Sequence, residues 1–284
     1  MVTIQWFPGH MSKARRQVQE SLKFVDFVTV LVDARLPLSS QNPMLTKIIG
    51  QKPVLWVLNK ADLADSRMTD QWCAHLKSQG HAVLALNAKD SSTTKKVTQA
   101  AKSLMADKLA RQQERGIQNQ TLKTMMIGIP NVGKSTLMNR LAGKKIVQVG
   151  NKPGVTKGQQ WLRSNKDLEL LDTPGILWPK FDDETVALKL ALTGAIKDQL
   201  LPLDEVTIFG MDYFKTHYPE ALSDRFKGID LEEETPTLIM DWTQKLGFRE
   251  DYDRFYHLFI KEVRDGKVGR YTLDQVGEDT HDQD

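Results

Sequence analysis

The segment Gly128-Ile129-Pro130-Asn131-Val132-Gly133-Lys134-Ser135 fits the pattern G-x-x-x-x-G-K-[ST]. Glycines at that spacing let backbone N–H groups face an anion at a helix N-terminus. The lysine of such a loop can reach β- and γ-phosphates, and its hydroxyl residue can bind Mg2+. An apolar run, Met125-Met126-Ile127, precedes the segment and a helical stretch follows it, so it reads as a phosphate-binding loop. Val132, Gly133, Lys134, Ser135 and Thr136 are its candidate phosphate contacts. Asp172-Thr173-Pro174-Gly175 also follows an apolar run. Asp172 suits a carboxylate acting on Mg2+ directly or through water, and the Gly175 N–H is placed to sense a γ-phosphate. Thr156, in Pro153-Gly154-Val155-Thr156 between the two loops, is the candidate switch threonine, a Mg2+ ligand only while the γ-phosphate is present.

Asn59-Lys60-Ala61-Asp62 has the residue types that select a purine. The Asp62 carboxylate can accept two hydrogen bonds from guanine, at N1–H and the 2-amino group. Adenine lacks both donors and would leave the carboxylate unpaired, at a cost of a few kcal/mol. Lys60 would pack its stem along the base, and Asn59 would tie the loops together. Asn87-Ala88-Lys89 resembles the Ser-Ala-Lys loop whose backbone N–H meets the guanine O6, with Asn in place of Ser. GTP and GDP with Mg2+ are the implied ligands. In most GTPases the phosphate loop opens the domain and the guanine loop closes it. Here the guanine loop comes first, so the parts are complete but rotated.

These segments need elements to hold them. Continuous apolar runs at Asp26–Val32, Pro53–Leu58, Ala82–Leu86, Met125–Ile127 and Leu168–Leu171 read as strands covered on both faces. Gln159–Arg163 reads as a sixth, forming a hairpin with Leu168–Leu171. Helical stretches are expected at Met44–Ile49, Arg67–Gln79, Thr93–Arg115 and Lys134–Ala142. The expected fold is α/β: a doubly wound, mostly parallel sheet with one antiparallel edge, followed by a small all-helical domain. Each motif ends a strand, where ligands of such sheets bind. The expected division is 1–178 for the nucleotide domain with its basic N-terminal segment, and 179–284 for the helical domain with an acidic tail. Tyr252, Phe255, Tyr256, Phe259 and Val263 form one helical stripe, more often core than a stacking platform.

The 284 residues are 40% hydrophobic and 26% charged, the profile of a soluble globular protein. No stretch approaches the ~20 apolar residues of a membrane span, and the N-terminus lacks the apolar run of a signal peptide. Cys73 is the only cysteine, which excludes an internal disulfide and a Cys-rich zinc site and suits a reducing cytoplasm. The net charge of +3 hides an asymmetry: residues 1–176 carry 26 Lys/Arg against 12 Asp/Glu, and residues 177–284 carry 13 against 24. Lys144, Lys145, Lys152, Lys157, Arg163 and Lys166 exceed what one nucleotide needs, which points to a polyanion such as RNA. Arg254, Lys261, Arg264, Lys267 and Arg270 form a second basic segment, readable as an RNA contact or as a solvated helix face.

These motifs resemble the circularly permuted GTPases of the ribosome biogenesis GTPase A family, also called YlqF, within the YlqF/YawG group. The resemblance also rests on Trp6-Phe7-Pro8-Gly9-His10-Met11, Asp33-Ala34-Arg35, Leu188–Lys197 and Gly266-Lys267-Val268-Gly269-Arg270, and so covers nearly the whole chain. It implies a GTP-hydrolysing factor acting on the large ribosomal subunit and its RNA late in assembly. The other readings are a GTP-dependent tRNA-modification or translation factor and a non-hydrolysing scaffold. Small GTPases place a water-orienting Gln after the Asp-x-x-Gly loop. Ile176 stands there, so another group must orient the water, and His10 is the candidate, with a solvent-exposed or capping role as its alternative. Asn131 either holds K+ beside the phosphates, as in related GTPases, or merely tolerates the loop backbone.

Overall fold

The computed structural model describes residue 16 and residues 18–42, 47–117, 120–144, 161–172, 183–196 and 198–277. Six strands form one sheet: β1 Phe27–Asp33, β2 Val54–Asn59, β3 Ala82–Leu86, β4 Leu122–Gly128, β5 Trp161–Arg163 and β6 Leu168–Asp172. Their order is β3-β2-β1-β4-β6-β5, and every pair is parallel except β5 with β6. All seven residues of β1 are buried, as a central strand covered on both faces requires. From β1 the chain winds outward through β2 to β3, then returns to place β4 on β1's other side. The crevice above β1 and β4 is therefore a topological switch point, where sheets of this kind bind ligands.

Two apolar layers cover the sheet. On one side lie Val28, Val30, Trp56, Leu58 and the helix α1, Ser66–Ser78, through Trp72 and Leu76. On the other lie α2, Thr93–Leu104, and α4, Lys134–Ala142, through Val97, Ala101, Leu137, Met138 and Leu141. The expected single helix Thr93–Arg115 is broken. Its second part, α3, is Ala106–Glu114, and the break falls at Met105, whose φ of −106° and ψ of 20° depart from helical values.

The second layer continues without a gap into five later helices: α5 Glu184–Leu192, α6 Leu203–His217, α7 Pro219–Arg225, α8 Thr235–Lys245 and α9 Tyr252–Arg264. The aromatic stripe of α9 is core: Phe255, Phe259 and Val263 are fully buried, with Tyr252 and Tyr256 packed at the margin. Gly210 lets α6 approach α9, since a Cβ there would lie 2.9 Å from the Phe259 ring.

After α9, residues 266–275 run back across the sheet's carboxyl edge as a strap. Tyr271 N–H donates to Leu63 O at 3.2 Å and Leu273 N–H to Arg35 O at 2.8 Å. The buried Asp274 carboxylate accepts from Leu38 N–H at 2.9 Å, Ser39 N–H at 2.7 Å, Ser39 Oγ at 2.6 Å and Lys189 Nζ at 3.1 Å. Trp72 Nε1 donates to the Asp274 carbonyl at 3.0 Å.

Phe259 sits where α6, α7 and α9 meet. Phe259→Ala should lower unfolding free energy by about 3–5 kcal/mol, measured by urea denaturation.

Candidate functional site

The strand ends bring the motifs together. Asp33 closes β1, Asn59 closes β2 as its register partner, Gly128 closes β4 and Asp172 closes β6. Asn87-Ala88-Lys89 follows β3 directly. A cleft of about 300 Å3 opens between them. Asn59, Lys60, Asp62 and the Asn87–Lys89 loop line one side, and Asn131, Gly133 and Thr136 the other. Val132 is buried beneath the phosphate-type loop.

Asn59 is the clamp. Its buried amide donates through Nδ2 to Val132 O at 2.8 Å and accepts Ala88 N–H on Oδ1 at 3.0 Å. One side chain thereby fixes three loops. It also explains Gly133, which has φ +94° and no room for a Cβ, because that atom would fall 2.3 Å from Asn59 Nδ2. At Gly128 a Cβ would lie 2.7 Å from Leu31 O. Both glycines of the pattern answer to close approach as well as to phosphate geometry.

Gly133 caps α4, leaving the helix N-terminal N–H groups to face an anion. Lys134 is buried at the first position of that helix, with Ser135 and Thr136 half-buried behind it. Asn87 stands where the Ser-Ala-Lys pattern has Ser, and its Oδ1 accepts Lys89 N–H at 2.9 Å and closes the turn. Asn131 has a left-handed φ of 60°, and its Nδ2 donates to Gly194 O at 2.8 Å. Asp62 is exposed at the mouth of the cleft. His10, Thr156 and Gly175 lie outside the described residues, as do Lys145, Lys152, Lys157 and Ile176; for Asp172 only the backbone is described.

Lys60, with a left-handed φ of 61°, reaches inward, and its Nζ meets Asp33 Oδ2 at 2.9 Å. The same carboxylate receives Arg35 as a two-pronged pair, Nε to Oδ1 at 2.9 Å and Nη2 to Oδ2 at 2.8 Å. Arg35 is 1% exposed. Burial alone would raise Asp33's pKa, but Arg35 and Lys60 outweigh it and hold the carboxyl well below the usual range. Burial works against the charge on Arg35 too, and Asp33 reverses it, so the guanidinium is held more firmly protonated than usual. For Lys60 burial wins and its pKa falls.

Thr193, Gly194 and Arg264 also line the cleft. Thr193 and Gly194 fall within the Leu188–Lys197 segment that carries the resemblance, but no spacing pattern marked any of the three as a cleft residue, because contacts across so many residues leave none. Arg264, grouped above with the RNA-type basic residues, is engaged internally. It donates to Leu192 O at 3.1 Å and Ala191 O at 2.7 Å at the end of α5, and pairs with Asp198 at 2.8 Å. Lys261 pairs with Asp265 and Arg254 lies over the Phe248 ring, and both stay exposed, as do Lys267 and Arg270.

A doubly wound sheet with these loops at its carboxyl edge, in rotated order, defines a circularly permuted P-loop GTPase. Residues 123–240 match the family model described as "50S ribosome-binding GTPase". The chain is 47% identical to ribosome biogenesis GTPase A of Bacillus cereus, over 99% of this chain and 98% of that one. It is 46% identical to the same protein of Priestia megaterium, over 98% of each. The fold matches the crystal structure of GNP-bound YlqF from T. maritima with a TM-score of 0.63 and 26% identity, covering 93% of this chain and 98% of that one. The chain belongs to the ribosome biogenesis GTPase A family.

Asp33→Asn would leave two cations without their buried counter-charge. It should cost about 3–5 kcal/mol at neutral pH. Because Asp33's folded pKa is depressed, the wild-type advantage should stay constant above the ordinary carboxylate range. It should shrink only as pH falls from there toward the folded value. Denaturant titrations of both proteins across that range measure it.

Proposed function

We propose that this cleft binds GTP and GDP, and that the chain hydrolyses GTP as a cytoplasmic assembly factor acting late on the large ribosomal subunit. The observation that carries the nucleotide reading is the Asn59 clamp, which holds the guanine-type loop, the Asn87–Lys89 loop and the phosphate-type loop around one cavity. In this reading Asp62 accepts from guanine N1–H and the 2-amino group, and the Ala88–Lys89 backbone meets O6. Lys134 and the α4 N-terminus hold the phosphates. The described residues contain no helix long and apolar enough to cross a membrane.

The metal donors would be oxygens: the Ser135 hydroxyl, the Thr156 hydroxyl and the Asp172 carboxylate. That set suits Mg2+, and the backbone supports it. Ser135 lies in the first turn of α4, and Asp172 ends β6, paired in register with Met126 of β4. Held by these residues, Mg2+ would supply charge neutralisation to the phosphates. Asn131 as a K+ ligand remains a second proposal for that loop. Its amide nitrogen is directed to Gly194 O, which leaves its oxygen for a cation. Equal hydrolysis rates in K+ and Na+ would remove it.

The ribosomal reading rests on the family and on the wording of the matched model. Residues 1–178 would act as the nucleotide domain and 179–284 as the RNA-contacting region, with Lys267 and Arg270 exposed on it. Ile176 cannot orient a water, so His10 is proposed to do so once a ribosomal partner seats it.

Two experiments test the proposal. Asp62→Asn replaces an acceptor with a donor and should shift preference from GDP to XDP by at least about tenfold, measured by competition binding. Large subunits should stimulate GTP turnover, whereas small subunits or tRNA should not. His10→Ala should keep GTP affinity and lose the stimulation; unchanged stimulation would remove His10 from the mechanism.

A further inference from the structure

Arg35 satisfies its guanidinium from three separate parts of the chain. Nε and Nη2 bind Asp33, Nη1 donates to the Tyr271 hydroxyl at 3.0 Å, and Nη2 also reaches Thr193 O at 3.3 Å. Its backbone oxygen accepts Leu273 N–H. Tyr271 is fully buried, with its ring 5.6 Å below the Arg35 guanidinium and 5.2 Å from the Phe214 ring of α6. Asp33 Oδ2 is shared between Arg35 and Lys60. A continuous chain of fixed contacts therefore runs from the 266–275 strap through Tyr271, Arg35 and Asp33 to the lysine that lines the cleft.

We infer that Arg35 and Tyr271 are positioning residues for the guanine pocket, acting through Asp33 on Lys60, so that nucleotide affinity depends on the docked strap. The inference rests on the proposed role of Lys60 against the base. A guanidinium is a rigid planar fork, and its orientation is set by all its acceptors together. Without the Tyr271 hydroxyl, Arg35 and Asp33 can rotate, and Lys60 loses the anchor that extends it across the cleft floor. Coupling of this kind is reciprocal: GDP in the cleft must also hold the strap down.

The test is a double-mutant cycle read by GDP titration calorimetry on the full chain. Tyr271→Phe keeps the ring and its packing. It should weaken GDP binding roughly fivefold, with kcat at saturating GTP unchanged, and Lys60→Met should weaken it at least as much. The double variant should bind no more weakly than Lys60→Met alone. Arg35→Lys, which keeps the charge without the fork, should repeat the Tyr271→Phe loss with the same dependence on Lys60. In hydrogen exchange, GDP should slow the Tyr271 and Leu273 amides in the wild type but not in Lys60→Met. A general loss of stability would lower the melting temperature without the Lys60 dependence. Wild-type GDP affinity in Tyr271→Phe, or losses that multiply in the double variant, would overturn the inference while leaving the nucleotide site intact. Wild-type affinity in Lys60→Met would instead remove the Lys60 role from the pocket reading, and the inference with it.

Discussion

The arrangement depends on one demand: a guanidinium taken out of water must be met by fixed acceptors. Arg35 is placed by β1, which ends at Asp33, so its first acceptor comes from its own strand two residues earlier. That local pair leaves donors over, and among the described residues no further carboxylate meets them. The Tyr271 hydroxyl and the Thr193 carbonyl complete the set, from the strap and from the end of α5. A buried pair of this kind adds little net stability, but breaking it is expensive. It therefore acts less as glue than as a registry pin, fixing where the strap and α5 must lie against the sheet.

The same economy appears at the cleft. Asn59 joins three loops with one amide, and Gly133 is the consequence, since no other residue leaves Asn59 its place. Asn131 then ties the phosphate-type loop to Gly194. Asp274 does the corresponding work at the far end of the strap, collecting two backbone N–H groups, a hydroxyl and an ammonium on one buried carboxylate. A carboxylate so satisfied cannot be exchanged for an apolar group without orphaning the Pro37–Ser40 turn it holds.

Much of the sheet was legible because its parallel strands are rich in apolar residues and end at motif residues. β1 to β4 and β6 each follow that rule, and the β5–β6 hairpin was readable from the polar turn between Leu162 and Leu168. The α9 stripe was legible from its period alone. The break at Met105 was not, because Thr93–Arg115 carries no Gly or Pro to mark it. Nor was the pairing of Arg35 with Tyr271, or the engagement of Arg264 at the end of α5. An arginine in a charged segment looks like surface, and only folding shows that the Ala191 and Leu192 carbonyls at the end of α5 accept it.

The rotated motif order gains a structural meaning at the turn after α5. Thr193 O receives Arg35 from the guanine-type side, and Gly194 O receives Asn131 from the phosphate-type side. Gly194 has φ +84° and lies against Arg264 of α9, where a Cβ would be 3.2 Å from its Nε. Two adjacent carbonyls thus touch both walls of the cleft while α9 locks the turn from behind. In sequence this turn comes soon after Asp172-Thr173-Pro174-Gly175, because the permutation lets the chain leave the sheet from that loop. In the unrotated order that exit would lead into further strands of the sheet. Here it leads to α5, and the turn that follows α5 contacts both walls of the cleft. The permutation therefore does more than reorder the loops: it lets the helical region meet the cleft directly, at the Thr193–Gly194 turn and at Arg264.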